Sequence, residues 1–313
     1  MAGNKKILAV FFFYERIGFM DYENVEYKKD SVIIKGVKNF DIKQITECGQ
    51  CFRWEKQSEN DYIGVAFGKV IEVIQDGQTV TILNTNSKDF EEIWFKYFDF
   101  GKDYKKIKEA LSTDKTLEES VNFGYGIRIL NQDMFEMLIS FIISARNNIP
   151  SIKKTIKNIA YKFGNKIQYK GEDYYTFPTT NQLKNAELDE IKNTGASFRS
   201  KYIIDTIEKV NSNLDEYNLD IIANMDSDCC HDALQSFKGV GAKVADCIML
   251  FSMEKTSAFP VDVWVKRAMI HYYNAEDVSL NKIRIFARDR FGELSGFAQQ
   301  YLFYYARENK INI

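Results

Sequence analysis

The sequence predicts an α+β protein in which an N-terminal antiparallel β domain precedes a larger all-helical domain that contains a helix-hairpin-helix. Three observations support this prediction. Short runs of β-branched and aromatic residues fill residues 21–83, the pattern after residue 126 is helical almost throughout, and a Gly-x-Gly turn separates two helical segments there. We expect a leader of unknown role over 1–20, a β-rich domain over 21–120 and a helical domain over 121–313.

The β-rich region contains three runs with the composition of strands. Asp76 and Gly77 stand between the last two of them, and Asp-Gly between apolar runs is a strong signal for a two-residue hairpin turn. The predicted strands lie within 31–37, 62–74 and 79–83, and two helices are predicted after them, over 89–100 and 104–112.

The composition is that of a globular chain without an overall electrostatic bias. A length of 313 residues allows about two domains with a well-buried core, and 45% hydrophobic with 27% charged residues is ordinary for such a protein. The formal net charge is −2, so nothing global indicates nucleic acid. Any nucleic-acid binding must therefore depend on local surfaces.

The cysteines and the first residues indicate a cytoplasmic protein, nucleoid-associated if the source is prokaryotic. The cysteine count is five, an odd number, and Cys229 and Cys230 are adjacent, which does not fit a secreted disulfide framework. The apolar run of the leader is interrupted by Glu15 and Arg16, and no small-residue cleavage site follows it. No apolar stretch is long enough to span a membrane.

The segment FKGVGAKVAD (Phe237–Asp246) has the layout of a helix-hairpin-helix. A short helical pattern precedes Gly239 and Gly241, and a second helical pattern begins directly after them. Glycines at such a turn let backbone N–H groups approach a phosphate at the N-terminus of the second helix. By itself this signal is weak, because a Gly-x-Gly turn between helices is more often only a turn.

Lys243 lies in the first turn of the second helix. The helix dipole disfavours an ammonium there, and burial lowers the pKa of a lysine further. Both effects favour a neutral amine, which is the form that attacks an electrophile. A solvated lysine that contacts a phosphate is the alternative that this segment leaves open.

Asp262 in FPVDV stands 19 residues after Lys243, which is enough for the intervening helix to end and the chain to turn back. Its plain structural role is to cap the following helix. A carboxylate beside an amine can also stabilise a developing cation and move protons.

Together, GVGAKVADC and FPVDV resemble the helix-hairpin-helix DNA glycosylase superfamily, and most closely its 8-oxoguanine branch. The resemblance implies that Lys243 is the nucleophilic lysine and Asp262 the family's aspartate. It also implies that the hairpin amides of Gly239, Gly241 and Val244 bind phosphate, and it allows a structural monovalent cation in the hairpin. Lys238 is a departure, because the family has proline before the first glycine.

The segment CGQCFRW contains the Gly-Gln-x-Phe-Arg-Trp of 8-oxoguanine glycosylases. The resemblance implies that the carbonyl of Gly49 faces the damaged base. Guanine presents N7 as a bare acceptor, whereas 8-oxoguanine carries a hydrogen there, so one backbone acceptor can select the lesion. The C-x-x-C of Cys48 and Cys51 has no second ligand pair and no thioredoxin-like setting, so we interpret these cysteines as packing residues.

Two further pairs complete a base pocket by resemblance. Gln299 and Phe303 are four residues apart on a predicted helix and therefore share a face. The family uses this glutamine on the Watson–Crick edge and this phenylalanine to stack on the flipped base. Cys247 is four residues after Lys243 and corresponds to the cysteine on the opposite side of that base. For Cys247 and Phe303 taken singly, core packing remains the alternative.

The residues that separate the strands match the family less well. Ser151 replaces the family's second arginine and Trp264 replaces its histidine. Fewer side chains with forked hydrogen-bond donors are then left to bind a cytosine opposite the lesion. We therefore expect weak discrimination of the base at that position. The predicted DNA contacts in these segments are Arg146, Asn147, Asn148, Phe198 as the wedge, Arg199 as a contact to the opposite base, and Trp264.

The resulting hypothesis is a bifunctional DNA glycosylase and AP lyase that flips 8-oxoguanine out of duplex DNA. It requires no cofactor and no metal, and no cysteine follows Cys247 to form an iron–sulfur loop. We expect a monomer whose partner is double-stranded DNA containing 8-oxoguanine, with no membrane association. The alternatives are a monofunctional alkyl-base glycosylase of the same superfamily, which has no need of Lys243, and a non-catalytic helix-hairpin-helix DNA-binding module.

Overall fold

The computed structural model describes residues 20–309, and the predicted leader lies outside this range except for Met20. An antiparallel sheet of six strands forms the N-terminal part, and helices form most of the rest, so the predicted α+β class is confirmed. The domain boundary near residue 120 stays a prediction. Between residues 20 and 309, every helix falls short of the length and apolar character that a bilayer crossing requires.

All neighbouring strands of the six-stranded sheet run antiparallel, in the order β1-β2-β6-β5-β4-β3. The predicted Asp-Gly turn joins β5 to β6, where Asp76 pairs with Thr79 and Gly77 has a φ of 55°. The strands are β1 (Asn24–Tyr27), β2 (Ser31–Lys35), β3 (Trp54–Ser58), β4 (Asp61–Ala66), β5 (Lys69–Asp76) and β6 (Thr79–Leu83).

Sequence patterns did not reveal two features of this sheet. The continuous run 62–74 contains a hairpin between β4 and β5, because Phe67 and Gly68 both have positive φ, 49° and 73°. The strands β1 and β3 were not predicted. They are the two edge strands, and β3 reads Trp-Glu-Lys-Gln-Ser with four exposed residues, so neither β-branched residues nor alternation marks it.

The helices that follow agree with most of the predicted segments. A helical stretch made of Ser87–Asp89, the π-helical Phe90–Trp94 and Phe95–Tyr97 corresponds to the predicted helix at 89–100. The α-helices are α1 (Ile42–Glu47), α2 (Tyr104–Leu111), α3 (Lys115–Phe123), α4 (Met134–Ser144), α5 (Ile149–Phe163), α6 (Thr180–Leu183), α7 (Leu188–Ile191), α8 (Ser200–Val210), α9 (Leu219–Asn224), α10 (Ser227–Leu234), α11 (Ala242–Ser252), α12 (Val263–Tyr273), α13 (Leu280–Phe291) and α14 (Ser295–Glu308).

The second region, which the sequence predicts to be helical almost throughout, also contains one β-hairpin. Two strands, β7 (Lys166–Tyr169) and β8 (Glu172–Tyr175), form a hairpin there. Tyr174 of this hairpin packs with Ile63 and Val70 on the outer face of the large sheet. These strands are short and polar, so only their packing against the sheet makes them stable.

Helix α4 is the central helix of the second region, as its apolar sequence predicts. Every residue from Phe135 to Ile143 is buried. It packs against α5, α8 and α11, and its last turn leads directly into the loop before α5. The helix therefore brings Phe141 and the loop residues to the same side of the molecule as α11.

A buried arginine joins the sheet region to the following helices. Arg128 is fully buried, and its Nη1 donates to Asp21 Oδ2 over 2.9 Å. Its other nitrogens donate to the carbonyls of Phe98 at 2.9 Å and Asp99 at 2.6 Å, and its guanidinium lies 4.0 Å from the ring centroid of Tyr104. One side chain thus ties together chain segments that are far apart in sequence.

We predict that Arg128→Met lowers the free energy of unfolding by about 3–5 kcal/mol, because the carboxylate of Asp21 is left buried without its partner. Urea denaturation at neutral pH measures this change. The exposed Arg290→Met is the control, since its 3.4 Å pair with Asp114 is worth about 0–1 kcal/mol. Equal effects of the two substitutions would contradict the role of Arg128.

Candidate active site

All six residues predicted to be catalytic or to bind the base line one cavity of about 60 Å³. A larger groove of about 600 Å³ lies between β3, β8 and α5, but it contains none of the six. Size alone would therefore point to the wrong place. The smaller cavity is lined by Cys48, Gly49, Phe141, Lys243, Cys247, Phe251, Pro260, Asp262, Gln299, Gln300 and Phe303.

Helix α11 supplies Lys243 and Cys247 to this cavity from successive turns. The side chain of Lys243 is partly buried, and its Nζ lies 5.6 Å from the ring centroid of Phe141 on α4. Cys247 is buried one turn further along the helix. The amine therefore points into the protein, which disfavours the alternative of a solvated lysine.

A buried ion pair fixes α11 on the side of the helix that faces away from the cavity. Asp246 is fully buried and accepts two hydrogen bonds from Arg284 of α13, from Nε at 2.7 Å and from Nη2 at 3.0 Å. His231 of α10 contacts the carbonyl of Ala242 through Nε2 at 3.2 Å. Sequence reasoning missed this group, although an aspartate inside an apolar helical run is a signal that a buried partner exists.

The pKa of Lys243 is raised, so the expectation that it is lowered is wrong for this structure. The main cause is the neighbouring Cys247 sulfur, burial opposes the rise, and the charge of Asp262 adds to it. Burial raises the pKa of the Cys247 thiol, although the ammonium of Lys243 opposes that rise. The helix dipole and burial, which the sequence argument invoked, are thus outweighed by two side chains that only folding brings near.

Asp262 combines its structural role with a place in the cavity. It is the N-cap of α12, where its Oδ1 accepts a hydrogen bond from the Val265 N–H at 2.8 Å. The cap fixes the carboxylate close to the wall that carries Lys243. The capping role and the placement beside the amine are therefore compatible.

The segment around Gly49 is held so that this residue faces the cavity. The carbonyl of Cys48 accepts from Gln300 Nε2 at 2.9 Å, and the carbonyl of Gln50 accepts from Gln132 Nε2 at 2.8 Å. Gly49 itself has a φ of 92°, a conformation that other residues rarely adopt. A Cβ at this position would lie 3.3 Å from Cε1 of Phe303, so the glycine also permits close approach of the ring.

Sequence reasoning missed Gln132 and Gln300, which support this segment. Both side chains are buried and donate to backbone carbonyls on either side of Gly49. The adjacent glutamines at 299 and 300 could have indicated such a support, because neighbouring residues of a helix point in different directions. If one of the two faces the base pocket, the other can bond to the protein around it.

Gln299 and Phe303 lie on the same face of α14, as their spacing predicts. Gln299 is only 6% exposed, and no donor within residues 20–309 reaches its Oε1. A buried amide oxygen without a partner is costly unless a ligand satisfies it. The guanidinium of Arg307 lies 5.5 Å from the ring centroid of Phe303, on the helix turn that follows.

The turn between α10 and α11 has the predicted hairpin geometry. Gly239 has a φ of 87°, and a Cβ there would lie 2.7 Å from Cδ2 of Tyr202. Gly241 is the N-cap of α11 and provides no side-chain cap, so the first-turn amides, including that of Val244, remain available to a ligand. Lys238, the departure from the family, forms a 2.7 Å ion pair with Asp205 of α8.

The loop before α5 contains Arg146, Asn147 and Asn148, and Arg146 and Asn148 are exposed. Asn147 Nδ2 donates to the Ile143 carbonyl at 3.1 Å, and Asn148 is the N-cap of α5, accepting from the Ser151 N–H at 3.0 Å. Both asparagines thus have structural roles. The exposed side chain of Arg146 has no such role within residues 20–309.

Two exposed rings lie in the other predicted contact segments. Phe198 is 51% exposed and Trp264 is 57% exposed, which is unusual for such large apolar side chains. Arg199 is only 5% exposed, and it donates to the carbonyls of Ala145 and Arg146. In this structure Arg199 contacts the protein, and a direct contact to an opposite base stays untested.

The cysteines are all free thiols, and Cys48, Cys51 and Cys230 are buried like Cys247. Burial raises the pKa of Cys48 to about 11. Over the part of the chain that the structure describes, no three His, Cys, Asp or Glu side chains are grouped so as to hold a metal ion.

The fold and this site define a DNA glycosylase of the base-excision type, and comparisons with known proteins support the class. The family model described as 8-oxoguanine DNA glycosylase, N-terminal domain, matches residues 32–138. The model described as HhH-GPD superfamily base excision DNA repair protein matches residues 139–289.

Relatives in three organisms extend this match. The crystal structure of Clostridium acetobutylicum 8-oxoguanine glycosylase/lyase with dsDNA containing cytosine opposite to 8-oxoG is 55% identical, with a TM-score of 0.90, and the match covers 93% of this chain and 100% of that one. The N-glycosylase/DNA lyase of Saccharomyces cerevisiae is 34% identical over 310 residues, covering 84% of this chain and 82% of its own length. A probable N-glycosylase/DNA lyase of Methanothermobacter thermautotrophicus is 32% identical over 216 residues. The match covers 63% of this chain and 68% of that protein. The chain belongs to the 8-oxoguanine DNA glycosylases of the HhH-GPD superfamily.

We predict that Cys247→Ser lowers the pKa of Lys243, because it removes the neighbouring sulfur that is the main cause of the rise. NMR titration of ε-¹³C-labelled lysine measures this pKa directly. Since the folded-state pKa is raised, Lys243 should remain an ammonium throughout the neutral range in the wild type and lose its proton at lower pH in the variant. Cys230→Ser, at a buried thiol outside the cavity, is the control, and an unchanged Lys243 titration in Cys247→Ser would contradict the coupling.

Proposed function

We propose that this protein excises 8-oxoguanine from duplex DNA and then cleaves the strand at the resulting site through a lysine Schiff base. Membership of the family and the names of its relatives support this activity. The observation that carries the residue assignment is the cavity in which a partly buried amine, a carboxylate and an unpartnered amide oxygen meet.

The proposed first step is attack of the neutral amine of Lys243 on the anomeric carbon of the flipped nucleotide. A bond forms between Nζ and that carbon while the bond to the base breaks, and the base leaves with the bonding electrons and takes up a proton. The carboxylate of Asp262 stabilises the positive charge that develops on the sugar. Because the pKa of Lys243 is raised, the amine must lose its proton before it attacks.

The second step uses the same nitrogen. After the sugar ring opens, the Lys243 adduct becomes a protonated Schiff base, which makes the neighbouring C2′ hydrogen acidic. Removal of that proton expels the 3′ phosphate by β-elimination and cleaves the strand. Hydrolysis of the remaining imine returns Lys243 as an amine.

Recognition of the base is proposed to depend on four groups around the cavity. The carbonyl of Gly49 accepts from the N7 hydrogen that distinguishes 8-oxoguanine from guanine. The amide oxygen of Gln299 accepts from a donor on the Watson–Crick edge, which satisfies a group that finds no donor among residues 20–309. Cys247 and Phe303 contact the two faces of the base.

The surface around the cavity is proposed to bind the duplex. The amides of Gly239, Gly241 and Val244 bind a phosphate at the N-terminus of α11. The exposed ring of Phe198 enters the stack in place of the flipped base. Trp264, at the start of α12, contributes a second apolar contact, while Arg146, Asn147 and Asn148 face the partner strand.

The remaining expectations belong to the same proposal. We infer that the protein acts as a monomer, in the cytoplasm or on the nucleoid, without a metal or organic cofactor. A monovalent cation in the hairpin stays a prediction. Among the alternatives, a monofunctional alkyl-base glycosylase and a binding module both leave the partly buried amine of Lys243 without a purpose.

We expect Lys243→Gln to abolish the covalent adduct that borohydride traps on a duplex with a single 8-oxoguanine, and to lower base release by about three orders of magnitude or more. The physical reason is that Lys243 is the only lysine among residues 20–309 that lines the cavity. Gel analysis of the adduct and chromatography of the free base provide the two readouts.

Lys157→Gln is the matched control, because this lysine lies outside the cavity and pairs with Glu55 at 3.0 Å. Base release without any adduct in the wild type would instead support the monofunctional alternative. Salt-sensitive binding without base release would support the binding module.

We further predict that the single-turnover excision rates opposite C, A, G and T differ from one another by a factor of no more than about three to ten. The reason is that Ser151 cannot replace a forked donor and Arg199 is engaged with backbone carbonyls. Rapid-quench measurements on four duplexes of otherwise identical sequence test this. A preference for cytosine of a hundredfold or more, about 2.7 kcal/mol, would contradict it.

A further inference from the structure

The guanidinium of Arg199 acts as a clamp on the loop that precedes α5. Its Nε and Nη2 both donate to the Ala145 carbonyl, at 2.8 and 2.5 Å, and Nη2 also donates to the Arg146 carbonyl at 2.9 Å. The side chain is 5% exposed, and burial lowers its pKa. Two consecutive carbonyls at the end of α4 are thus held by one fixed cation.

The loop needs such a support because its backbone is strained at Arg146. This residue has a φ of 51°, in the left-handed region that residues with a Cβ populate sparsely. The preceding Ala145 has already left the helix, with φ −60° and ψ 119°. Bonds to the carbonyls of both residues restrain the orientation of the two peptide planes and so favour this conformation over more common ones.

The same guanidinium also contacts the proposed wedge. Its central carbon lies 4.5 Å from the ring centroid of Phe198, and the ring packs edge-on against Tyr202 at 6.1 Å. The chain before Phe198 is irregular, with φ values of 102° at Gly195 and 56° at Ser197. Arg199 therefore connects two exposed features that are about fifty residues apart in sequence, the ring of Phe198 and the side chain of Arg146.

We propose that Arg199 is a positioning residue that sets the wedge and the loop in register. This inference rests on the proposed function. All three bonds to the loop are made by Nε and Nη2, so removing this fork should release the loop. Because Arg199 holds the backbone of Arg146, it also restrains the position from which this exposed side chain leaves the loop.

The first test compares single-turnover excision opposite C, A, G and T for wild type, Arg199→Lys and Arg199→Met. If Arg199 is a clamp, Arg199→Met lowers the four rates by the same factor, about tenfold or more, because a misplaced loop and wedge affect every duplex alike. Arg199→Lys retains the charge but loses the fork, so it should restore only part of the rate. A loss confined to the duplex with cytosine would overturn the proposal.

The second test needs no DNA and no activity. Amide hydrogen exchange of the free protein should become about tenfold faster at Ala145 and Asn148, whose N–H groups donate to the Ile142 carbonyl and to Asn147 Oδ1, in Arg199→Met, with Lys157→Met as the control for loss of a charge. Unchanged exchange at these residues would overturn the clamp.

The strain at Arg146 provides a further criterion. Glycine adopts a φ of 51° without cost, so Arg146→Gly should reduce the effect of Arg199→Met on exchange in the double variant. Full additivity would overturn the link to backbone strain. If the wild type released 8-oxoguanine from none of the four duplexes, the proposed function would fail, while the exchange experiments would still decide whether Arg199 holds the loop.

Discussion

The position of helix α11 is the constraint on which the rest of the site depends. The helix must hold an amine inside the protein at its N-terminal end, where the partial charges of the backbone are already positive. Two features of its surroundings make this feasible. Arg284 neutralises the buried carboxylate of Asp246 on the far side of the helix, and Cys247 with Asp262 stabilises the Lys243 ammonium on the cavity side. The backbone amides of the first turn then remain free for an external anion.

Several residues of the site satisfy a structural and a chemical requirement together. Asp262 caps α12 while its carboxylate lines the cavity, and Gly241 begins α11 without a side chain that would cover the first-turn amides. Gly49 permits both an unusual backbone conformation and the approach of Phe303. Such residues reach their chemical positions because the fold requires them there, so little additional free energy is needed to organise the site.

The surface proposed to bind the duplex is organised differently, because its large apolar side chains are exposed. Phe198 and Trp264 are each more than half exposed, and the nearby loop carries a strained arginine. Buried Arg199 restrains this exposed region from beneath. A rigid support under exposed rings is what separating two stacked bases demands, since a flexible wedge would lose its contacts to the duplex as it entered.

Local patterns in the chain were sufficient for the fold class, for the Asp76–Gly77 turn and for the buried character of α4, since hairpin chemistry and helical periodicity act over a few residues. Resemblance to the motifs of a known family was likewise sufficient to select Lys243, Asp262, Gly49, Cys247, Gln299 and Phe303, which line one cavity. Packing between distant segments determined the rest. The polar strands β1, β3, β7 and β8 are stabilised by neighbouring strands, and a local sequence pattern does not show which strands will be neighbours. The raised pKa of Lys243 and the engagement of Arg199 with Ala145 depend on charges and carbonyls that approach only when the chain folds. Electrostatic and hydrogen-bond energies vary with distances in space, and a linear sequence does not contain those distances.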